Sequence, residues 1–248
     1  MLGIIGAGNM AGALARGWGE PVLASDGGSG RAVRLVAEVG GEALESNAEL
    51  VRRADTIILG HQPHQLREIA SQVDASGKQV FSVLGPTTMA ELRKAYPHST
   101  VARIMPNTPV ELRKGVCCIA QGGEAAVPLF ERVGRVFILP ESQMNLAVAT
   151  IGVTPAYIAV LVEAMIDAAA LNGLAPNLAA DMFLETLIGT SHLIAKKKND
   201  TLSVRRAVAS PGESTVRGVA ALERCGIRPM LQEAMRDVLS RLSQPYHG

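Results

Sequence analysis

The chain has little of what marks a secreted, metal-bound or nucleic-acid-binding protein. Its 248 residues contain three cysteines. Two are adjacent (Cys117, Cys118) and one is remote (Cys225), which makes no disulfide framework, no CxxC pair and no zinc spacing. Aromatic residues are 3% of the chain and charged residues 19%. Lys and Arg total 24 against 23 Asp and Glu, a formal charge of +1, which is too balanced to grip nucleic acid or an anionic membrane. The most apolar stretch, 151–162, reads as too short to cross a bilayer and is followed by Glu163 and Asp167. The opening MLGIIGAGNM lacks a basic lead and a small-residue cleavage site. These features predict a soluble cytoplasmic protein with no signal peptide, no metal, no nucleic-acid partner and no membrane partner.

What is present is apolar and periodic. Hydrophobic residues make up 48% of the chain, which excludes disorder and supplies a core. Short apolar runs at 2–6, 22–25, 56–60, 79–84, 101–105, 115–120 and 135–139 read as buried strands. Stretches of helical period, such as 31–39 and 64–73, lie between most of them. That alternation predicts a mainly parallel sheet with helices on both faces. After about residue 140 only helical pattern follows, at 155–172, 177–197, 214–224 and 229–242, punctuated by Gly173, Pro176, Gly226 and Pro229. The fold class is therefore α/β + all-α: residues 1–140 as a doubly wound domain and 141–248 as a helical one. The helix over 155–170 carries Tyr157, Ile158, Val160, Leu161, Val162, Met165 and Ile166. A helix that is apolar nearly all round must be covered, and a small helical domain cannot surround it alone. A homodimer, or a higher homo-oligomer built on dimers, is expected.

The first strand runs into Gly6-Ala7-Gly8-Asn9-Met10-Ala11, a G-x-G-x-x-A pattern opening a helix. Gly6 permits a tight turn, Gly8 lets backbone approach a pyrophosphate, and Ala11 lets the helix pack close to the sheet. The helix start adds amide donors and a positive dipole end. Strand before, helix after and alternating units beyond make this a dinucleotide-binding, Rossmann-like fingerprint. The second strand ends at Ser25-Asp26. An acid there suits the ribose hydroxyls of NADH and opposes the 2′-phosphate of NADPH, a slight tilt to NADH that Arg31 offsets; the same residues also read as a turn, Ser25-Asp26-Gly27-Gly28. His61 and His64 read as surface polarity rather than as a metal pair.

Three further blocks complete the pattern: Arg103-Ile104-Met105-Pro106-Asn107-Thr108-Pro109, Pro155-Ala156-Tyr157 with Glu163, and Ser210-Pro211-Gly212 leading to Thr215, Leu222-Glu223 and Gly226. With GAGNM, and in this order along nearly the whole chain, they resemble the pyrroline-5-carboxylate reductase family. The resemblance implies a Rossmann domain plus a helical domain that interleaves with a second subunit. It implies hydride transfer from NADH or NADPH to the C=N carbon of a cyclic imino acid, the last step of proline synthesis. It places Asn107 and Thr108 at the nicotinamide, and Asn47, Gln62 and Pro63 at the adenine ribose and phosphates. It also places the substrate carboxylate on the backbone N–H groups of the Ser210-Pro211-Gly212 segment, of which Pro211 itself has none, and on Thr215, with Val208 and Glu163 in the same substrate set. A protonated pyrroline accepts hydride readily, so positioning and charge complementarity suffice without a strong general acid.

Two of these segments have plainer readings from the residues alone. Ser210-x-x-Glu213 matches a capping box, and Asn47 suits the cap of a helix over 48–53. The chain also departs from the family. Ile151-Gly152-Val153-Thr154 replaces a serine-glycine-serine-glycine run, Gln62 a lysine and Glu213 a glycine. Lys196, Lys197, Lys198, Arg205 and Arg206 stand in a segment of usually mixed charge. An anion about 4 Å from a bound carboxylate costs about 4 kcal/mol at an effective dielectric near 20, so the direction of Glu213 matters. The departures leave two alternatives to the reductase: a same-fold enzyme for another cyclic imine or small carbonyl, and a non-catalytic dinucleotide-binding paralogue.

Overall fold

The computed structural model describes residues 1–210 and 213–244. In chain order the elements of the first part are β1 (Leu2–Ile5), α1 (Asn9–Trp18), β2 (Val22–Ser25), α2 (Arg31–Val39), β3 (Gly41–Ala43), α3 (Asn47–Arg53), β4 (Thr56–Leu59), α4 (Leu66–Ser71) and β5 (Gln79–Ser82). There follow α5 (Met89–Ala95), β6 (Thr100–Pro106), β7 (Gly115–Ala120), α6 (Val127–Phe130), β8 (Gly134–Leu139) and α7 (Met144–Ala147). The rest is helical: α8 (Thr154–Leu171), α9 (Pro176–Lys196), α10 (Thr201–Val208), α11 (Ser214–Arg224) and α12 (Ile227–Leu242). The chain falls into two compact units, Met1–Pro155 with Leu239–Gly248 and Ala156–Val238.

The first unit is an eight-stranded sheet in the order β3-β2-β1-β4-β5-β6-β7-β8. Every neighbouring pair is parallel except β6 with β7. Successive residues of a strand face opposite sides, so the apolar runs feed two cores. Ile4, Ala24, Ile58, Phe81 and Ile104 join the core that holds α1. Ile5, Leu23, Ile57, Leu59 and Val80 join the other, under α3 and α5. Burial on both faces is why these strands read as continuous apolar runs rather than alternations.

Three sequence expectations change here. β3 carries no apolar run, and its residues are exposed or half-buried, so periodicity could not find it. The run at 135–139, read as a buried strand, is the sheet edge: Phe137 and Ile138 are each 39% exposed. The stretch 141–171 is longer than the sequence suggested. Short 3₁₀, α and π segments join α8 into one apolar helical run of 31 residues, Glu141–Leu171. By length and composition it is sufficient to cross a bilayer, so shortness is no argument against a membrane. The π segment, Val148–Gly152, overlaps the departing run Ile151–Thr154 at Ile151 and Gly152. π segments concentrate at functional positions.

In the second unit, α8 has no buried residue. Val160 is 62% exposed and Met182, on α9, 56%. The Tyr157 hydroxyl donates to the carbonyl of Ala234 at 3.5 Å. α10 was not anticipated; Asp200 caps it by accepting from the Ser203 amide at 2.9 Å. α11 starts at Ser214 with Glu213 as its N-cap residue and no side-chain cap bond. The expected Ser210 cap is therefore not the helix start. The Glu213 amide donates to the Ser210 carbonyl at 3.2 Å.

Candidate active site

The fingerprint turn is built as its residue types require. Gly6 has φ +91°, a conformation open to glycine, and a Cβ there would fall 2.5 Å from His61 Cα and 2.6 Å from Gly60 C. Its amide donates to the Ser25 carbonyl at 2.8 Å. Gly8 is the N-cap of α1 at φ −74°, ψ −178°, with nothing nearer to a notional Cβ than Gly60 O at 3.6 Å. Ala11 is 1% exposed. A Cβ on Gly60 would lie 2.7 Å from the Ala11 methyl. Gly60 is thus a third required glycine, one that the sequence pattern did not reveal because it lies a strand away.

These turns enclose a cavity of about 410 Å³ at the carboxyl ends of β1, β2 and β4, where doubly wound sheets bind ligands. Gly6, Ala7, Gly8, Ser25, Asp26, Asn47 and Gln62 all line it. Asn9 and Met10 open α1 beside it, and Pro63 begins the 3₁₀ segment that follows Gln62. Ser25 is buried, and its hydroxyl donates to Asn47 Oδ1 at 2.7 Å, which leaves the Asn47 amide hydrogens to the cavity. Asn47 is not the cap expected for α3. Ser46 fills that role by accepting from the Glu49 amide. The Gln62 amide donates to Gln65 Oε1 at 3.1 Å.

Asp26 accepts from the Ala32 amide at 2.7 Å, the Ser29 hydroxyl at 2.8 Å and the Gly28 amide at 3.0 Å. Burial pushes its pKa up, but these bonds outweigh it and hold the carboxyl below its ordinary value. The turn reading of Asp26 is what these bonds show, and the same carboxylate lines the cavity. His61, expected at the surface, lines this cavity too. Its position directly after a strand at the sheet's switch point was the available signal. A larger cavity, about 760 Å³, lies beside α4 and α5 with Arg67 and Lys94 in its wall. Of the residues expected at the cofactor, Pro63 lines this cavity and not the smaller one, and none of the fingerprint residues reaches it.

Asn107 directly follows β6 and is 9% exposed. Its Oδ1 accepts from the Val116 amide at 2.8 Å, so half of its amide group is spent on holding β7. Thr108 is exposed and begins a 3₁₀ segment. In the second unit, Glu163, Val208 and Ser210 are exposed and Thr215, in the first turn of α11, is half-buried. Pro211 and Gly212 lie outside the described residues. Among the described residues no group of three His, Cys, Asp or Glu side chains is placed to hold a metal. Ile151 packs against the core that lies under α3 and α5.

Strand order, glycine turn and switch-point cavity define a Rossmann-type dinucleotide-binding protein with an appended helical domain. Comparison with known proteins agrees and narrows it. Residues 141–244 match the family described as pyrroline-5-carboxylate reductase dimerisation. Residues 1–86 match NADP oxidoreductase, coenzyme F420-dependent. The chain is 31% identical over 204 residues to the pyrroline-5-carboxylate reductase of Synechocystis, covering 79% of this chain and 76% of the relative. It is 29% identical over 252 residues to that of Methanosarcina acetivorans, 94% and 93% covered. The crystal structure of the Streptococcus pyogenes reductase superposes with TM-score 0.87 at 22% identity, 97% of each chain covered. The Plasmodium falciparum enzyme, with NADP bound, gives 0.84 at 24%, with 97% and 96% covered. The chain belongs to the pyrroline-5-carboxylate reductase family.

The dimerisation match spans the whole apolar run from 141 to 171. That match supports a homo-oligomer, and the exposed apolar residues of α8 and α9 are the surface on which to test it. Paired charges at its centre, Val160→Asp with Met182→Asp, are expected to leave a folded monomer. Size-exclusion chromatography with light scattering measures this. A mass still twice that of the chain would remove α8 and α9 from the interface.

Proposed function

We propose that this protein reduces 1-pyrroline-5-carboxylate to L-proline with a reduced nicotinamide dinucleotide. Residues 1–140 serve as the dinucleotide domain and 141–248 as the dimerisation and substrate domain. The observation that carries the reading is the glycine-turn cavity, complete at Gly6, Gly8 and Asn47 in a chain of this family. The cradle fits the cofactor: backbone without side chains faces the diphosphate position, and the start of α1 offers amides and its dipole. A reduced nicotinamide, when bound, supplies a hydride to the C=N carbon of an imine that already carries its proton, leaving the amine. The chain's part is to hold and orient. The first turn of α11 offers amide hydrogens and the positive dipole end to the substrate carboxylate, and the Thr215 hydroxyl donates to the same anion. Asn107 and Thr108 shape the nicotinamide end.

Ile151 is half-buried and packs against the first unit's core, which weakens one ground for a different imine. Val153, also half-buried and outside that core, keeps the other, so another cyclic imine stays the alternative substrate. Cofactor preference follows from Asp26. Its carboxylate is held ionised in the cavity wall, and a 2′-phosphate would meet that charge, so NADH is the preferred form.

Turnover of pyrroline-5-carboxylate, followed by nicotinamide absorbance, tests the reading, with kcat/KM about tenfold higher for NADH than NADPH. Thr215→Ala is expected to lower kcat/KM tenfold or more, about 1.4 kcal/mol, with an unchanged melting temperature. No turnover with either cofactor would overturn the activity. An unchanged kcat/KM would remove Thr215 from the site.

A further inference from the structure

His61 is the least explained residue of the dinucleotide cavity. Its backbone packs against Gly6, the first glycine of the turn, and it lines the cavity with Gly8, Asp26 and Asn47. Nδ1 of its ring lies 2.8 Å from the Gln62 carbonyl oxygen. A carbonyl only accepts, so Nδ1 carries a hydrogen, and in the neutral ring Nε2 is a bare lone pair. That Nε2 is buried and has no partner among the described residues. Moving the proton to Nε2 would set the Nδ1 lone pair against the carbonyl. The ring is satisfied in two ways: Nε2 accepts from a hydroxyl, or it gains a proton and donates.

The surroundings select the second. The adjoining turn and helix start accommodate a diphosphate, whose oxygens only accept. The charged residues that share the cavity wall with His61 are Asp26, Arg31 and Glu68, and His64 in the 3₁₀ segment is the titratable neighbour whose charge acts on the ring. The β1–α1 turn and α3 contribute glycine, alanine and asparagine to the wall. Among the residues lining the cavity, Arg31 is the one formal cation, and the neighbour Gln62 is neutral.

We propose that His61 is a proton-coupled ligand of the cofactor diphosphate: as the dinucleotide binds, the ring takes up one proton and shifts to bring Nε2–H, buried in the free protein, to a phosphate oxygen. This rests on the dinucleotide reading above. In the free protein burial pushes the His61 pKa down, only partly opposed by the Gln62 carbonyl, and His64 adds to the lowering. The free ring is neutral near pH 7. The diphosphate charge favours the imidazolium, so the bound state has the higher pKa. The sign follows from linkage: between these two pKa values the dissociation constant rises about tenfold for each unit of rising pH.

Isothermal titration calorimetry with NADH and the full chain tests this between about pH 6 and 8.5, in buffers of different ionisation enthalpy that count protons. The wild type is expected to take up close to one proton where the pH slope is steepest. His61→Gln is expected to take up none and to bind with little pH dependence, its fold checked by thermal melting. Imidazole nitrogen NMR of the wild type needs no variant and is expected to show a ring protonated on binding. NADH bound without proton uptake, or with uptake that persists in His61→Gln, would overturn the inference and leave the dinucleotide site standing. Absence of NADH binding at every pH would overturn the dinucleotide reading and this inference with it.

Discussion

Gly8→Ala is expected to melt within a degree or two of the parent and yet to bind the dinucleotide at least tenfold more weakly, about 1.4 kcal/mol. Gly6→Ala is expected to lose its stability. The difference lies in the two backbones. Gly8 sits at φ −74°, ψ −178°, open to any residue, and its notional Cβ makes only ordinary contact at 3.6 Å. The fold does not need glycine there. A closely approaching diphosphate does, because one methyl group takes the space between backbone and ligand. Gly6 has φ +91° and would drive a Cβ into the backbone of Gly60 and His61. Backbone on both sides cannot yield as a side chain would, so the cost is on the order of 3 kcal/mol. For a chain of this size that is about 6–12 °C in melting temperature. Thermal melts paired with cofactor titrations read both effects. A Gly8→Ala protein that binds the dinucleotide as the parent does would move the diphosphate away from this turn.

The second large effect concerns the ion pair between Arg103 and Glu141. Arg103 lies on β6 with its side chain 3% exposed, 2.7 Å from Glu141, whose own side chain is 38% exposed. The guanidinium also donates to the Gly85 carbonyl at 2.8 Å and reaches Asn145 Oδ1 at 3.4 Å. It ties β6, and so the Asn107 end of the sheet, to the start of the long helical run. The two partners differ in access to water, so their removal differs in cost. Glu141→Ala strands a buried cation and is expected to cost about 3 kcal/mol. Arg103→Met leaves a carboxylate that can turn to solvent and fills the hole with apolar atoms, at about 1 kcal/mol. The double variant should be more stable than Glu141→Ala alone. Denaturant unfolding measures all three. Equal costs for the two single changes would mean that Arg103 is solvated from elsewhere.

Much of the fold was legible because buried parallel strands are unbroken apolar runs and the fingerprint turn needs particular small residues. Gly6, Gly8 and Ala11 were each assigned from residue type, and each has the space or lack of space that the assignment required. What escaped had no local pattern. β3 is three residues with no apolar run, held by pairing to β2. The α11 cap fell at Glu213 rather than Ser210, because a capping-box spelling does not say where the chain first turns helical. Asn47 looked like a cap, but a hydroxyl 22 residues away holds its side chain. His61 looked like surface polarity until β4 set it against the glycine turn.

The amino-acid sequence determined the class of fold, the dinucleotide turn and the family blocks, because each depends on residues close together in the chain. Only the tertiary structure decided which side chains share the cavity, which carboxylate is held ionised and which buried cation has a partner. Charge and hydrogen bonding act across a few ångströms of space, and the strands that meet at the switch point, β1, β2 and β4, are drawn from Leu2 to Leu59 of the chain.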